Sequence, residues 1–233
     1  MKRVLVAEDE TSIREFIVIN LKRSGYEVVE AADGELALKE YEIHNGDFDV
    51  AILDIMMPNV DGLQVCKALR EMNSNIGIIM LSAKTQEIDK VTGLLYGADD
   101  YVTKPFSPSE LMARVDAIYR RVAMNSPVKE NDDKNHIRLG VFDLDTKRRA
   151  FYKNGKEIEL TQVEFQIVEY FLKNPMKAIK RTEILNEVWG ANFFGDDKVV
   201  DVNMRRLRMK IEDDPSNPRH LMTVWGIGYR WEE

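Results

Sequence analysis

The chain has 233 residues, 44% hydrophobic and 31% charged, with a formal net charge of −7. Such a composition belongs to a globular protein of one or two ordinary domains and excludes a disordered or fibrous chain. No apolar run approaches the roughly 18 residues of a membrane span, the N-terminus lacks signal-peptide anatomy, and a single cysteine, Cys66, excludes an internal disulfide, so a reducing cytoplasm is expected, with no membrane partner.

In chain order, the first half alternates strand-like and helical patterns. Strands are predicted at 3–7, 27–31, 49–53, 77–81 and 100–102, and helices near 12–24, 34–45, 62–71, 86–96 and 108–121. This alternation predicts a parallel sheet covered on both faces, an α/β fold. Asp33-Gly34 and Asp61-Gly62 mark helix starts; Gly25 and Gly97 mark helix ends. Residues 123–136 are polar and aperiodic and read as a flexible linker, with a reach of roughly 20 Å.

Strands follow at 137–139, 142–144, 149–152 and 157–160, with a hairpin turn at 153–156. Helices are predicted at 161–173, 181–189 and 197–212, the first opened by the capping box Thr161-x-x-Glu164. A terminal hairpin pairs 221–225 with 229–231. The domains are thus 1–122 and 137–233, the second being α+β.

Charge divides unevenly. Residues 1–122 hold 14 basic and 21 acidic residues, and the remainder holds 19 of each. The second half is neutral overall, yet five basic residues lie between Lys198 and Lys210 against Asp201 alone. Overall pI conceals that patch.

Glu8, Asp9, Asp54, Ser82 and Lys104 each end or follow a predicted strand. The carboxyl edge of an open parallel sheet is its ligand crevice, so these distant residues converge. Clustered carboxylates call for a hard cation such as Mg²⁺, and Lys104 adds a fixed positive charge. The set suits phosphoryl transfer to Asp54 as nucleophile, with the Ser82 hydroxyl on a phosphoryl oxygen. A turn or cap role for single residues, and a Mg²⁺-dependent phosphohydrolase with an aspartate nucleophile, are the competing readings.

The runs Val6 to Glu10 (VAEDE), Leu53 to Pro58 (LDIMMP), Asp61 to Leu63, Leu81 to Ala83 and Gly97 to Phe106 (GADDYVTKPF) closely resemble a bacterial response-regulator receiver. The resemblance implies a flavodoxin-like, doubly wound five-stranded sheet of order 2-1-3-4-5. It implies a non-enzymatic switch, phosphorylated on Asp54 by a sensor histidine kinase. It implies that Asp9, Asp54 and the Met56 carbonyl ligate Mg²⁺, with Glu8, in place of a commoner aspartate, acting through water. Tyr101 is the implied switch residue and the Lys104–Pro105 bond is implied to be cis. Lys90, Asp99, Asp100, Glu110, Arg114 and Arg121 are implied to form a phosphorylation-favoured homodimer through the pairs Lys90–Glu110, Asp100–Arg114 and Asp99–Arg121. Lys84 stands where many relatives carry arginine.

On a helical wheel, Val200, Met204, Leu207 and Ile211 form the apolar face of 197–212. Lys198, Val202, Arg205, Arg206 and Met209 lie opposite, flanked by Asn203 and Lys210, a pattern suited to a DNA major groove. A solvated basic helix is the bland alternative. Val199 to Lys210 and Gly226 to Arg230 (GIGYR), with Leu160 to Phe165 and Glu187 to Gly190, resemble an OmpR/PhoB-type winged helix. This implies that 197–212 is the recognition helix, that the terminal hairpin is the wing, and that the target is double-stranded DNA with direct-repeat half-sites. RNA polymerase is a further expected partner. Arg206 is the expected base contact; Lys198, Arg205 and Thr223 are expected phosphate contacts. Trp225 replaces an arginine common in relatives, so it is expected to weaken minor-groove contact, or to pack on the sugar-phosphate face or on Trp231.

Overall fold

The computed structural model describes residues 2–83, 96–123, 135–190 and 197–232, without the side chains of residues 83 and 121–123. The chain forms two compact units, Met1–Met124 and Asn125–Glu233. Residues 124–134 of the expected linker, and 86–95 of the helix expected near 86–96, lie outside the described residues.

In the first unit, β1 (Arg3–Ala7), β2 (Glu27–Ala31), β3 (Val50–Asp54), β4 (Gly77–Ala83) and β5 (Asp100–Lys104) form a parallel sheet of order β2-β1-β3-β4-β5. All five residues of β3 are buried, as a strand covered on both faces requires. Helices α1 (Thr11–Arg23) and α4 (Pro108–Ala123) place Ile17, Leu21, Leu111 and Val115 against Val4, Val6, Val50 and Ile52. The alternate residues Leu5, Ala51 and Leu53 are equally buried, with α2 (Gly34–Ile43) against β1 and α3 (Gly62–Met72) against β3. Each large side chain so buried contributes about 1.5–3 kcal/mol. Asp33 accepts from the Leu36 amide, and Asp61 forms a reciprocal capping box with Gln64.

The second unit begins with an antiparallel sheet of β6 (His136–Leu139), β7 (Phe142–Asp145), β8 (Ala150–Lys153) and β9 (Lys156–Ile158). Asn154 and Gly155 both adopt positive φ, 52° and 75°, as a two-residue hairpin turn of this kind demands. Helices α5 (Gln162–Lys173), α6 (Arg181–Trp189) and α7 (Lys198–Ile211) follow. A second sheet pairs β10 (Ile179–Lys180) with β12 (Gly228–Trp231), which pairs with β11 (Leu221–Val224). The two-residue β10 is too short to leave a periodic signal in sequence. Fully buried Trp231 packs edge-on against Phe142, 5.1 Å between centroids, and thereby joins the two sheets. No helix among the described residues is long and apolar enough to cross a membrane.

Candidate functional site

The carboxyl edge of the first sheet gathers an acidic cluster. Glu8, Asp9 and Asp54 each offer an oxygen within 4.8 Å of the others. Glu8 is fully buried, Asp54 is 5% exposed, and Asp9 faces solvent. The Lys104 Nζ bridges two of them, 2.7 Å from Glu8 Oε2 and 3.0 Å from Asp54 Oδ1.

Backbone geometry sets these positions. Asp54 pairs with Leu81 in register and Ala83 with Lys104, so Ser82 enters the same edge one residue beyond Leu81. The loop after Asp54 folds back tightly: a Cβ on Gly62 would lie 2.0 Å from the Asp54 carbonyl oxygen. Glycine is required there for α3 to start against the site. The Lys104–Pro105 bond is cis. Met56, two residues past Asp54, has an exposed side chain.

Burial and Lys104 set the electrostatics of the cluster. Burial, the nearby Asp54 charge and the compensating Lys104 leave Glu8 titrating above its ordinary range. Burial also raises Asp54, with Asp9 adding to it and Lys104 opposing it. Burial alone would lower Lys104, but its two carboxylate partners win and raise it, so it stays an ammonium. One ammonium against three carboxylates leaves room for a divalent cation, and all-oxygen donors suit Mg²⁺.

Tyr101, the expected switch residue, is buried in β5. Among the expected dimer residues, Asp99, Asp100, Glu110 and Arg114 make contacts within the chain. Arg114 is buried and its Nη1 reaches both Asp100 oxygens of the same chain, at 3.0 and 2.9 Å, while Nη2 meets Glu110 at 3.0 Å. Burial would lower the Arg114 pKa, but Asp100 raises it. Asp99 is buried, bound to Arg70 Nη2 at 2.8 Å and to the Ile78 amide at 2.8 Å. Asp100–Arg114 is therefore an internal strut, because the four-residue step along α4 from Glu110 presents Arg114 to β5. Lys84 and Lys90 lie outside the described residues, as does the Arg121 side chain.

In the second unit, α7 presents Lys198, Arg205, Met209 and Lys210 to solvent. Two residues placed outward by the helical wheel are inward. Val202 is buried, and Arg206 is 5% exposed with its Nη2 3.1 Å from Glu164 Oε1. Asn203, expected at the flank, is also buried and donates to the Val199 carbonyl at 2.8 Å. The reason is three-sided packing, since α5 and α6 both contact α7 and Arg208 ties it to the hairpin. Arg206 as a projecting base reader is thus corrected; Arg205 is the exposed arginine of that pair.

Glu164 itself is the functional surprise. It completes the capping box with Thr161, and its buried carboxylate pairs with Arg206 and with Lys210 at 2.7 Å. The box was legible in sequence; its inward direction was not. Thr223 is half-buried and accepts from Arg208 Nη2 at 2.8 Å, a residue the wheel did not single out. Trp225 is 90% exposed at the hairpin tip, so it does not pack on buried Trp231.

A 2-1-3-4-5 parallel sheet with acids and a lysine at its carboxyl edge, followed by helices and a terminal hairpin, defines a receiver with a winged-helix output domain. Residues 4–116 match the response regulator receiver domain, and 155–231 match the transcriptional regulatory protein C-terminal family. The sensory transduction protein RegX3 of Mycolicibacterium smegmatis is 42% identical over 232 residues, covering 100% of both chains. The alkaline phosphatase synthesis transcriptional regulatory protein PhoP of Bacillus subtilis is 42% identical over 235 residues, covering 100% of this chain and 97% of that one. A solved structure of a RitR mutant, 23% identical over 100% of both chains, superposes with a TM-score of 0.75 and supports the fold. The chain belongs to the OmpR/PhoB family of response regulators, two-component proteins with a DNA-binding output domain.

Proposed function

We propose that Asp54 accepts a phosphoryl group from a sensor histidine kinase and that this modification controls DNA binding by the second domain. The observation that carries the reading is the Lys104 ammonium bridging Asp54 and Glu8 inside a trio of carboxylates. An Asp54 oxygen attacks phosphorus as the phosphohistidine nitrogen leaves. Lys104 offers charge to the transferring oxygens, and Ser82 lies at the same edge to donate a hydrogen bond. Glu8, Asp9, Asp54 and the Met56 carbonyl would hold Mg²⁺, which when bound neutralises charge on the phosphoryl group. The pocket serves a single covalent transfer to the chain itself, which supports a switch rather than an enzyme.

A Mg²⁺ site so built stabilises the folded chain by mass action, about 2.7 kcal/mol at a hundredfold excess over Kd. The melting temperature is therefore expected to rise on adding Mg²⁺ and to fall back with chelator. A flat response in calorimetry would exclude the cation.

Phosphorylation adds about −1.5 to −2 charge beside Ser82 and Lys104. In the proposed switch this favours a homodimer through the α4–β5 face, with Asp100–Arg114 kept as an internal strut. Dimerisation raises the local concentration of two output domains, which favours direct-repeat half-sites. Lys198, Arg205, Thr223 and Trp225 are the proposed DNA contacts, RNA polymerase is a proposed further partner, and the cytoplasm is the proposed location. A small acyl-phosphate donor is expected to increase both the dimer fraction in sedimentation and the affinity for selected tandem sites. If Asp54 becomes modified while both stay constant, the receiver acts independently of phosphorylation.

A further inference from the structure

Helix α7 and the terminal hairpin are tied by polar groups from several elements. Asp201, in the first turn of α7, accepts at one oxygen from both the Arg181 Nε and the Tyr229 hydroxyl, each at 2.7 Å. Arg181 opens α6 and Tyr229 lies in β12, so one carboxylate oxygen joins three elements. The Arg181 and Arg208 guanidiniums lie over the Tyr229 ring, 5.0 and 5.6 Å from its centroid. Arg208 also donates to the Leu221 carbonyl at 2.9 Å and to the Thr223 hydroxyl at 2.8 Å. Strand β12 is held close to β10: a Cβ on Gly228 would lie 2.2 Å from the Ile179 carbonyl oxygen.

An acid in the first turn suits the helix dipole, yet on a DNA-facing helix it carries a cost. α7 carries Lys198, Arg205, Arg208 and Lys210, and a carboxylate among them repels phosphate. The Asp201 side chain is 46% exposed, so it was free to be any polar residue on packing grounds alone. Instead its oxygen is engaged by protein donors on two neighbouring elements.

We propose that Asp201 is a positioning residue that holds the Tyr229 hydroxyl and the Arg181 guanidinium in register with α7, so that helix and wing meet DNA as one rigid surface. The inference rests on α7 being the DNA-reading helix. Asp201 touches no DNA itself; it acts through the groups it orients. Burial and the Asp201 contact push the Tyr229 phenol up to about 12, so the hydroxyl remains a donor at neutral pH.

The sign of the effect separates this role from simple electrostatics. Removing an acid from a DNA-facing helix tightens binding if charge alone matters. The experiment uses the full chain and a duplex recovered by in vitro selection with the wild type. Asp201→Ala is expected to weaken binding roughly tenfold, within the coupling range of residues in one network. Tyr229→Phe weakens it too, and the double variant falls no further than the worse single. Asp201→Asn keeps an acceptor and recovers most of the affinity. Unchanged or tighter binding by Asp201→Ala, or fully additive losses, overturns the proposal. Should Asp201→Ala not fold, the remaining pair decides: Asn near wild type with Phe weakened supports it, and both at wild type overturns it. Arg205→Ala checks the footing: wild-type affinity there removes the reading of α7, and the positioning role with it.

Discussion

Asp54→Asn is expected to abolish incorporation of a phosphoryl group from an acyl-phosphate donor, in the presence of Mg²⁺, below the limit of detection by mass spectrometry. An amide oxygen at that position is a poor nucleophile, and no other carboxylate of the cluster takes its place geometrically. Glu8 is fully buried and paired with Lys104, and exposed Asp9 follows β1, whereas Asp54 itself ends β3 beside β4, which carries Ser82. Stable, stoichiometric labelling of the mutant would place the acceptor elsewhere. The same substitution is expected to raise the stability of the metal-free chain at neutral pH. Burial, with Asp9, raises the Asp54 pKa above 3.8 despite Lys104. A raised carboxyl pKa means the neutral form fits the fold better. That stability is complete below the unfolded value and is lost as pH rises through the folded one. An uncharged side chain retains it at pH 7, so the mutant should melt higher without Mg²⁺ and respond less to adding it.

Glu164→Ala is expected to destabilise the output domain by about 3–5 kcal/mol, the cost of stranding a buried charge whose partner is removed. Arg206 and Lys210 would both lose their carboxylate, and the Thr161 amide its cap. Glu164→Gln should cost less, since its amide oxygen can still cap. All three tryptophans, Trp189, Trp225 and Trp231, lie in this domain, so tryptophan fluorescence in urea follows it within the full chain. A loss under about 1 kcal/mol, the level of an exposed pair, would show that the network carries little energy. The pH dependence has the opposite sign to that of Asp54. Burial would raise the Glu164 pKa, but Arg206, Lys210 and the Thr161 amide outweigh it and hold it below 4.5. Its contribution is therefore present above about pH 4.5 and disappears as pH falls through the lower folded value. Glu164→Gln should flatten the acid limb of the unfolding curve.

Much of the fold was legible because its signals are local. Strand boundaries at 3–7 and 27–31 coincide with β1 and β2, and the capping residues Asp33, Asp61 and Thr161 sit where short-range chemistry places them. The acidic cluster was also readable, since a parallel sheet forces strand ends to one edge whatever the loops do.

The output helix shows where such reading ends. A single-helix wheel has two faces, but α7 is enclosed by α5, α6 and the hairpin, so Val202, Asn203 and Arg206 turn inward and Arg205 stays out. Likewise, Asp100 and Arg114 are chemically suited to pair, but only the close fit of α4 against β5 makes them partners within one chain.

By itself the sequence determined the alternating strands and helices, the strand-end acids and the existence of a basic helix, because periodicity, caps and turn residues act over a few positions; the sheet order and the winged-helix class came from family resemblance. Only the tertiary structure decided which charges face water. Whether Arg206 reads outward or neutralises Glu164, and whether Asp201 is idle or braces Tyr229, depends on groups 28 to 42 positions away meeting in three dimensions.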